Sequence, residues 1–254
     1  MSLTVILTNA DAKIKLLRVL EYLSLVAEDY LNQDHNREFS YDMLICYEKI
    51  KRARKLLRVF FSLWNLRKIL EYHNQDKILF QKICYISSKF CGSVFYLFET
   101  ITAFMDILKV MPEKSSNLKF IRFVFWIAGL MFSNVYCLTY LIHSYGKEAY
   151  LKDVSINKLR PIEIIQIMNN LAEERHELIL YICCNFLDLF IGFHYSGLIE
   201  KVLKTRVTNG VLGSVGVTCT ILRLVALLKK RSRRKNHSSE DQLTLFDGLF
   251  YGYD

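Results

Sequence analysis

Phe123 to Ile142, FVFWIAGLMFSNVYCLTYLI, is a run of twenty residues without one charge. Each helical residue rises 1.5 Å, so such a run covers about 30 Å, the hydrocarbon thickness of a bilayer. Arg122 stands before it, and His143 and Lys147 follow it. Buried helices of soluble proteins are usually shorter and carry more polar residues, so the run predicts a membrane span.

The hydrophobic share of 52% and the mean hydropathy of +0.17 lie between those of a soluble enzyme and a polytopic transporter. With 23% of residues charged, much of the chain must still face water. Only two prolines and ten glycines interrupt it, and no sustained alternating strand pattern occurs. The expected fold is therefore all-α: an integral membrane protein with amphipathic N-terminal helices, two firm transmembrane helices and two further candidates.

Residues 11–31 read as a helix, with Asp11 as a candidate cap ahead of Ile14, Leu17, Leu20 and Leu25. A polar loop is expected over 32–42. On the following helix, Ile50, Ala53, Leu56, Leu57, Phe60, Phe61, Leu63 and Trp64 share one face. Lys51, Arg52, Arg54, Lys55 and Arg58 occupy most of the other, while Lys49 and Val59 fall out of place. Bulky apolar side chains opposite a basic face suit a helix lying in a membrane interface, or one packed on a soluble core with a solvated back. The neighbouring span favours the membrane. The expected membrane-binding residues are Lys51, Arg54, Lys55, Leu57, Arg58, Phe60, Phe61 and Trp64, with anionic lipids as their partner.

Residues 78–108 are apolar but carry Lys82, Lys89, Glu99 and Asp106. Charges at mid-membrane cost roughly 2.5–3.5 kcal/mol each on insertion scales, so a shallow helix, a re-entrant piece and a buried span all fit. Residues 179–199 are apolar except for Asp188 and His194, two intramembrane polar groups that are either functional or a packing hydrogen bond. Residues 207–228 stay uncharged up to Arg223, whose long stem could snorkel to the interface. Gly210, Gly213 and Gly216 form a small-residue stripe there, expected to pack against another membrane helix, either of a second copy or 123–142.

The charge of +9 is unevenly distributed: eight Lys or Arg and no acid from Lys49 to Lys68, and six more between Lys229 and Lys235. One cluster lies on an amphipathic segment and the other follows an apolar one, which favours lipid headgroups over nucleic acid. Residues 143–178, in contrast, hold five basic and six acidic residues. With 123–142 and 207–228 as spans, both termini face the cytosol. The expected organisation is a cytosol-facing, membrane-associated helical region over 1–110, a membrane-spanning region over 111–228, and a cytosolic tail over 229–254. The seven cysteines form no CxxC pair, which fits a reduced compartment.

Catalytic signatures do not emerge. Glu173-Glu174-Arg175-His176 carries the Glu-x-x-His spacing of di-iron bundles but has no second copy. Phosphate loops, dinucleotide fingerprints, nucleophile elbows and zinc spacings are not visible. No enzyme activity, cofactor or metal is expected.

Four stretches, in order, resemble the peroxin-11 family of peroxisomal membrane proteins. They are LLRVLEY (16–22), RKLLRVFFSL (54–63), NFLDLFIGFHY (185–195) and GVLGSVGVTCTIL (210–222), in a lay-out similar to the gamma-type branch. The resemblance implies a protein of the peroxisomal (or glycosomal) membrane that curves and elongates it, promoting proliferation and fission. It also implies self-association, an import receptor and fission machinery as partners, and, as an alternative activity, a pore for small metabolites.

Overall fold

The structure, a computed structural model, describes residues 10–34, 37–58, 60–73, 78–108, 112–158, 161–204 and 207–236. Helices account for nearly all of them: α1 (Ala10–Gln33), α2 (Arg37–Leu57), α3 (Phe61–His73), α4 (Leu79–Leu108), α5 (Pro112–Lys158), α6 (Pro161–Tyr195), α7 (Leu198–Leu203) and α8 (Asn209–Asn236). No strand occurs among the described residues. Both prolines stand at the first position of a helix, where the missing N–H costs nothing. Gly197, at φ +73°, makes the left-handed turn between α6 and α7.

Four helices are long and apolar enough to cross a membrane: α4, α5 over Asn117–Leu151, α6 over Ile167–Tyr195, and α8 over Asn209–Leu228. The two further candidates thus join the two firm ones. The choice left open for 78–108 resolves into one continuous 30-residue helix, because Lys89 and Glu99 turn inward and are buried.

α4, α5, α6 and α8 pack in sequence as an up-and-down array, and α1 lies along α8. Paired residues give the directions. Phe95 stacks on Trp126, Asn185 bonds Asn134, Arg223 meets Asp188, and Arg18 meets the same Asp188. α2 folds back on α1, with Ser40 Oγ donating to the carbonyl of Glu28 at 3.3 Å. α3 runs down α4, where Ser62 and Ser93 share a hydrogen bond of 3.0 Å. The division expected at residue 110 falls between α4 and α5, which form the largest helix–helix contact in the molecule.

Three local readings are corrected. The polar loop over 32–42 is shorter, since Arg37–Asp42 already belong to α2 and the docking of Ser40 on α1 holds them there. The basic amphipathic segment is two helices, interrupted at Arg58 and Phe60. That interruption lets Arg58 reach Glu99 while Phe61 packs edge-on against Tyr96, ring centres 5.5 Å apart. Asp11 sits within the first turn of α1.

The core consists of two clusters. Tyr22, Tyr47, Phe95, Tyr96, Trp126, Leu130 and Ile191 form one, and Tyr72, Tyr85, Tyr136, Leu178, Tyr181 and Ala226 the other. Seven of these residues are tyrosines. An aromatic body with a polar tip suits an interior that is itself polar.

Candidate functional site: a charged interior within an apolar shell

The molecule is arranged inside out. Phe90, Met131, Ile142 and Phe186 are each more than half exposed, whereas Lys15, Lys89 and Asp188 are fully buried and Arg223 is 1% exposed. In water each bare Phe or Leu would forgo about 1.5–3 kcal/mol of burial, and dozens of such residues cover the four apolar helices and α1–α3. A hydrocarbon solvent removes that cost and makes an inward-facing charge the cheaper arrangement.

The interior is organised by Asp188. Its Oδ1 accepts from Arg18 Nη2 of α1 at 2.5 Å, and its Oδ2 from Arg223 Nη2 of α8 at 2.6 Å. Cys219 Sγ lies 3.3 Å from the same carboxylate. Arg223 also donates to Asn185 Oδ1 at 3.1 Å, and Asn185 Nδ2 donates to Asn134 Oδ1 at 3.0 Å and Ser133 Oγ at 3.2 Å. One network therefore ties α1, α5, α6 and α8. The expectation that Arg223 snorkels to the interface is corrected. A buried carboxylate within reach stabilises its charge better than a long excursion to water.

His194, the second intramembrane polar residue, stands apart from Asp188. It is half-buried beside the Tyr195 ring, centres 5.6 Å apart, and no hydrogen bond joins it to Asp188 among the described residues.

Gly210, Gly213 and Gly216 face α1. A Cβ on Gly213 would lie 2.8 Å from the carbonyl oxygen of Tyr22 and 3.0 Å from the amide of Val26, both backbone atoms that cannot yield. One on Gly216 would enter the Tyr22 ring, and one on Gly210 would meet the Asp29 carboxylate. Within one chain the main packing partners of α8 are α1 and α6.

The basic segment divides in an unexpected way. Arg54 forks onto Glu21 (Nε–Oε2 2.6 Å, Nη2–Oε1 3.0 Å), and Arg58 Nη2 lies 2.9 and 3.0 Å from the two carboxylate oxygens of Glu99. Arg54, Lys55 and Arg58 are all buried, and Lys51 is half-buried against Tyr47 and Tyr195. Leu57, Phe60 and Trp64 point outward, and Phe61 is half-buried. In this arrangement Lys49, Arg52 and Arg67 are the exposed cations. Helical periodicity sets Leu56 and Leu57 apart from Arg54 and Lys55, but Arg52 is exposed beside the apolar side chains. Periodicity does not reveal that carboxylates on α1 and α4 draw Arg54 and Arg58 inward.

Between α1, α2, α4 and α5 lies a cavity of about 290 Å³ lined by seven Lys or Arg and four Asp or Glu. Burial, with the guanidinium of Arg122 next in effect, depresses the Lys55 ammonium to about 8. Burial also raises the Tyr47 phenol above its ordinary range.

An apolar shell, a charged interior and four span-length helices define an integral membrane protein of the all-α class. The chain matches Peroxisomal biogenesis factor 11 (PEX11) over residues 1–228, nine-tenths of its length, and belongs to that family. Membership makes it a peroxisomal membrane protein concerned with peroxisome proliferation, in a family of biogenesis factors not known as enzymes. No curated protein and no solved structure matches the chain.

Proposed function

We propose that the protein binds and curves the peroxisomal membrane, elongating the organelle ahead of fission. The observation carrying this reading is the bare apolar ridge of α2–α3, where Leu56, Leu57, Phe60, Leu63 and Trp64 all point away from the bundle. A short, broken helix pair with such a ridge adds volume among the acyl chains of one leaflet and so favours curvature. Lys49, Arg52 and Arg67 border the ridge and meet anionic headgroups. Lys51, Arg54, Lys55 and Arg58 join them only when α2 detaches from Glu21 and Glu99. Four crossings leave both termini on the cytosolic side, and second copies of the chain, an import receptor and fission proteins complete the assembly.

Overexpression of the chain should elongate or multiply peroxisomes. Replacing Leu57, Phe60 and Trp64 together by Ser should leave the protein in the organelle while round peroxisomes persist. Elongation undiminished in that variant would overturn the wedge.

A second reading, a pore for small metabolites, draws on the charged interior, since buried ionisable groups in membrane helices commonly line solute pathways. Solute efflux from proteoliposomes, unchanged by Asp188→Asn in a folded protein, would count against it.

A further inference from the structure

The cavity between α1, α2, α4 and α5 has an imbalance that ion pairing leaves in place. Each of its four carboxylates has a cation: Glu21 takes Arg54, Glu99 takes Arg58, Glu48 takes Lys51 and Asp106 takes Lys119. Arg18 is committed to Asp188. Two lining cations bond no carboxylate among the described residues, and share only the through-space field of Glu99 and Asp106 with the cations already paired there. Lys55 has no hydrogen bond or salt bridge among the described residues, although it is 9% exposed. Among the described residues Arg122, at 5% exposure, bonds only the hydroxyl of Thr102 at 3.3 Å and lies over the faces of Phe95 and Phe123, and its Nε is buried without a hydrogen-bond partner there.

Holding two buried cations with no carboxylate bonded to either is expensive unless a counter-ion enters. A planar guanidinium fork beside a compact ammonium matches a tetrahedral oxyanion, and two excess charges match a group carrying about −1.5 to −2. We propose that this cavity binds a phosphomonoester-class anion, held by Arg122 and Lys55 against the rings of Phe123 and Trp126. The site lies near one end of the bundle. Tyr22 packs on Gly216, seven residues inside the start of the α8 span, or about 10 Å at helical rise. The same phosphate chemistry could therefore come from a soluble phosphate or from a lipid whose headgroup is a phosphomonoester, such as phosphatidic acid. The inference stands apart from membrane curvature, because binding is read on the isolated protein.

The test uses the full chain in phosphatidylcholine nanodiscs, with Trp64→Phe making the cavity residue Trp126 the sole tryptophan. In one arm inorganic phosphate is titrated; in the other the discs contain phosphatidic acid or, at matched surface charge, phosphatidylserine. A saturable change in Trp126 emission is expected, weakened at least about tenfold by Lys55→Met and by Arg122→Gln. The exposed Lys147→Gln, remote from the cavity, should leave it unchanged. A response to inorganic phosphate identifies the soluble source; a response to phosphatidic acid alone identifies the lipid. Lys55→Met removes a buried charge and keeps the fold, so it decides the matter if Arg122→Gln fails to fold by circular dichroism. Silence in both arms, an undiminished response in Lys55→Met, or phosphatidylserine acting as well as phosphatidic acid would each overturn the site.

Discussion

Arg223 Nη2 and Asp188 Oδ2 stand 2.6 Å apart, each side chain 1% exposed or less, and join two helices that each have the length and hydropathy of a membrane span. The other oxygen of the same carboxylate takes Arg18 from α1. The N-terminal helix is thereby fastened to the spanning array by a charge that neither partner could bury alone.

Asp188→Asn should be severely destabilising, because it leaves two buried guanidiniums facing each other without a counter-charge. Breaking a buried pair costs about 3–5 kcal/mol. Denaturant unfolding in detergent would register this as a loss of that size. Arg18→Met combined with Asp188→Leu and Arg223→Met should recover most of it, since the site then needs no charge. A wild-type midpoint for Asp188→Asn would show that the triad contributes nothing.

Gly213→Leu should separate α1 from α8, because the new side chain meets the backbone of Tyr22 and Val26. Overpacking costs roughly 1–3 kcal/mol where neighbours can shift, and more where they are backbone. Gly146, with open space around its Cβ position, is the control and should tolerate Leu. Thermal unfolding checks the stability, and chemical cross-linking asks whether self-association changes with it. Lost oligomers from a chain of unaltered stability would move the stripe's partner to a second copy.

Arg58→Glu puts a carboxylate against Glu99 and should collapse the α2–α4 contact, whereas Arg52→Glu changes an exposed residue and should leave the fold intact. Reversing the pair, Arg58→Glu with Glu99→Arg, should restore part of the loss. Arg52→Glu should instead weaken binding to anionic vesicles, and the effect should fade as salt is raised. Limited proteolysis and vesicle flotation separate the two outcomes.

Lys55 carries a pH signature. Its folded value of about 8 lies below the ordinary value of 10.5, so between them the unfolded chain holds a proton that the folded chain has released. Stability should therefore rise with pH across that window, and the cost of the buried charge is fully present below it. Lys55→Met should flatten the rise. Amine labelling of Lys55 against pH, read by mass spectrometry, should return the same depressed value.

The all-α class and the uncharged run of 123–142 need no tertiary information, because span length and absence of charge are properties of the local chain. Pro112 and Pro161 likewise mark the starts of α5 and α6 locally. The separation of Leu56 and Leu57 from Arg54 and Lys55 within α2 is equally local, being fixed by helical period. The family resemblance is also carried by short motifs in order, and the match over 1–228 agrees with it.

What each face touches was beyond the sequence. Arg54, Arg58 and Arg223 look like headgroup-binding or snorkelling cations on a helical wheel, yet they turn inward. Their partners Glu21, Glu99 and Asp188 lie 33, 41 and 35 positions away, on other helices. The placement of Lys55 and Arg122 in one cavity is likewise a product of three-dimensional packing between α2 and α5. Periodicity and hydropathy record which way a residue points around its own helix axis. Whether that direction meets lipid, water or a carboxylate depends on long-range pairing, because the Coulomb and desolvation terms that decide it arise only once the helices are side by side.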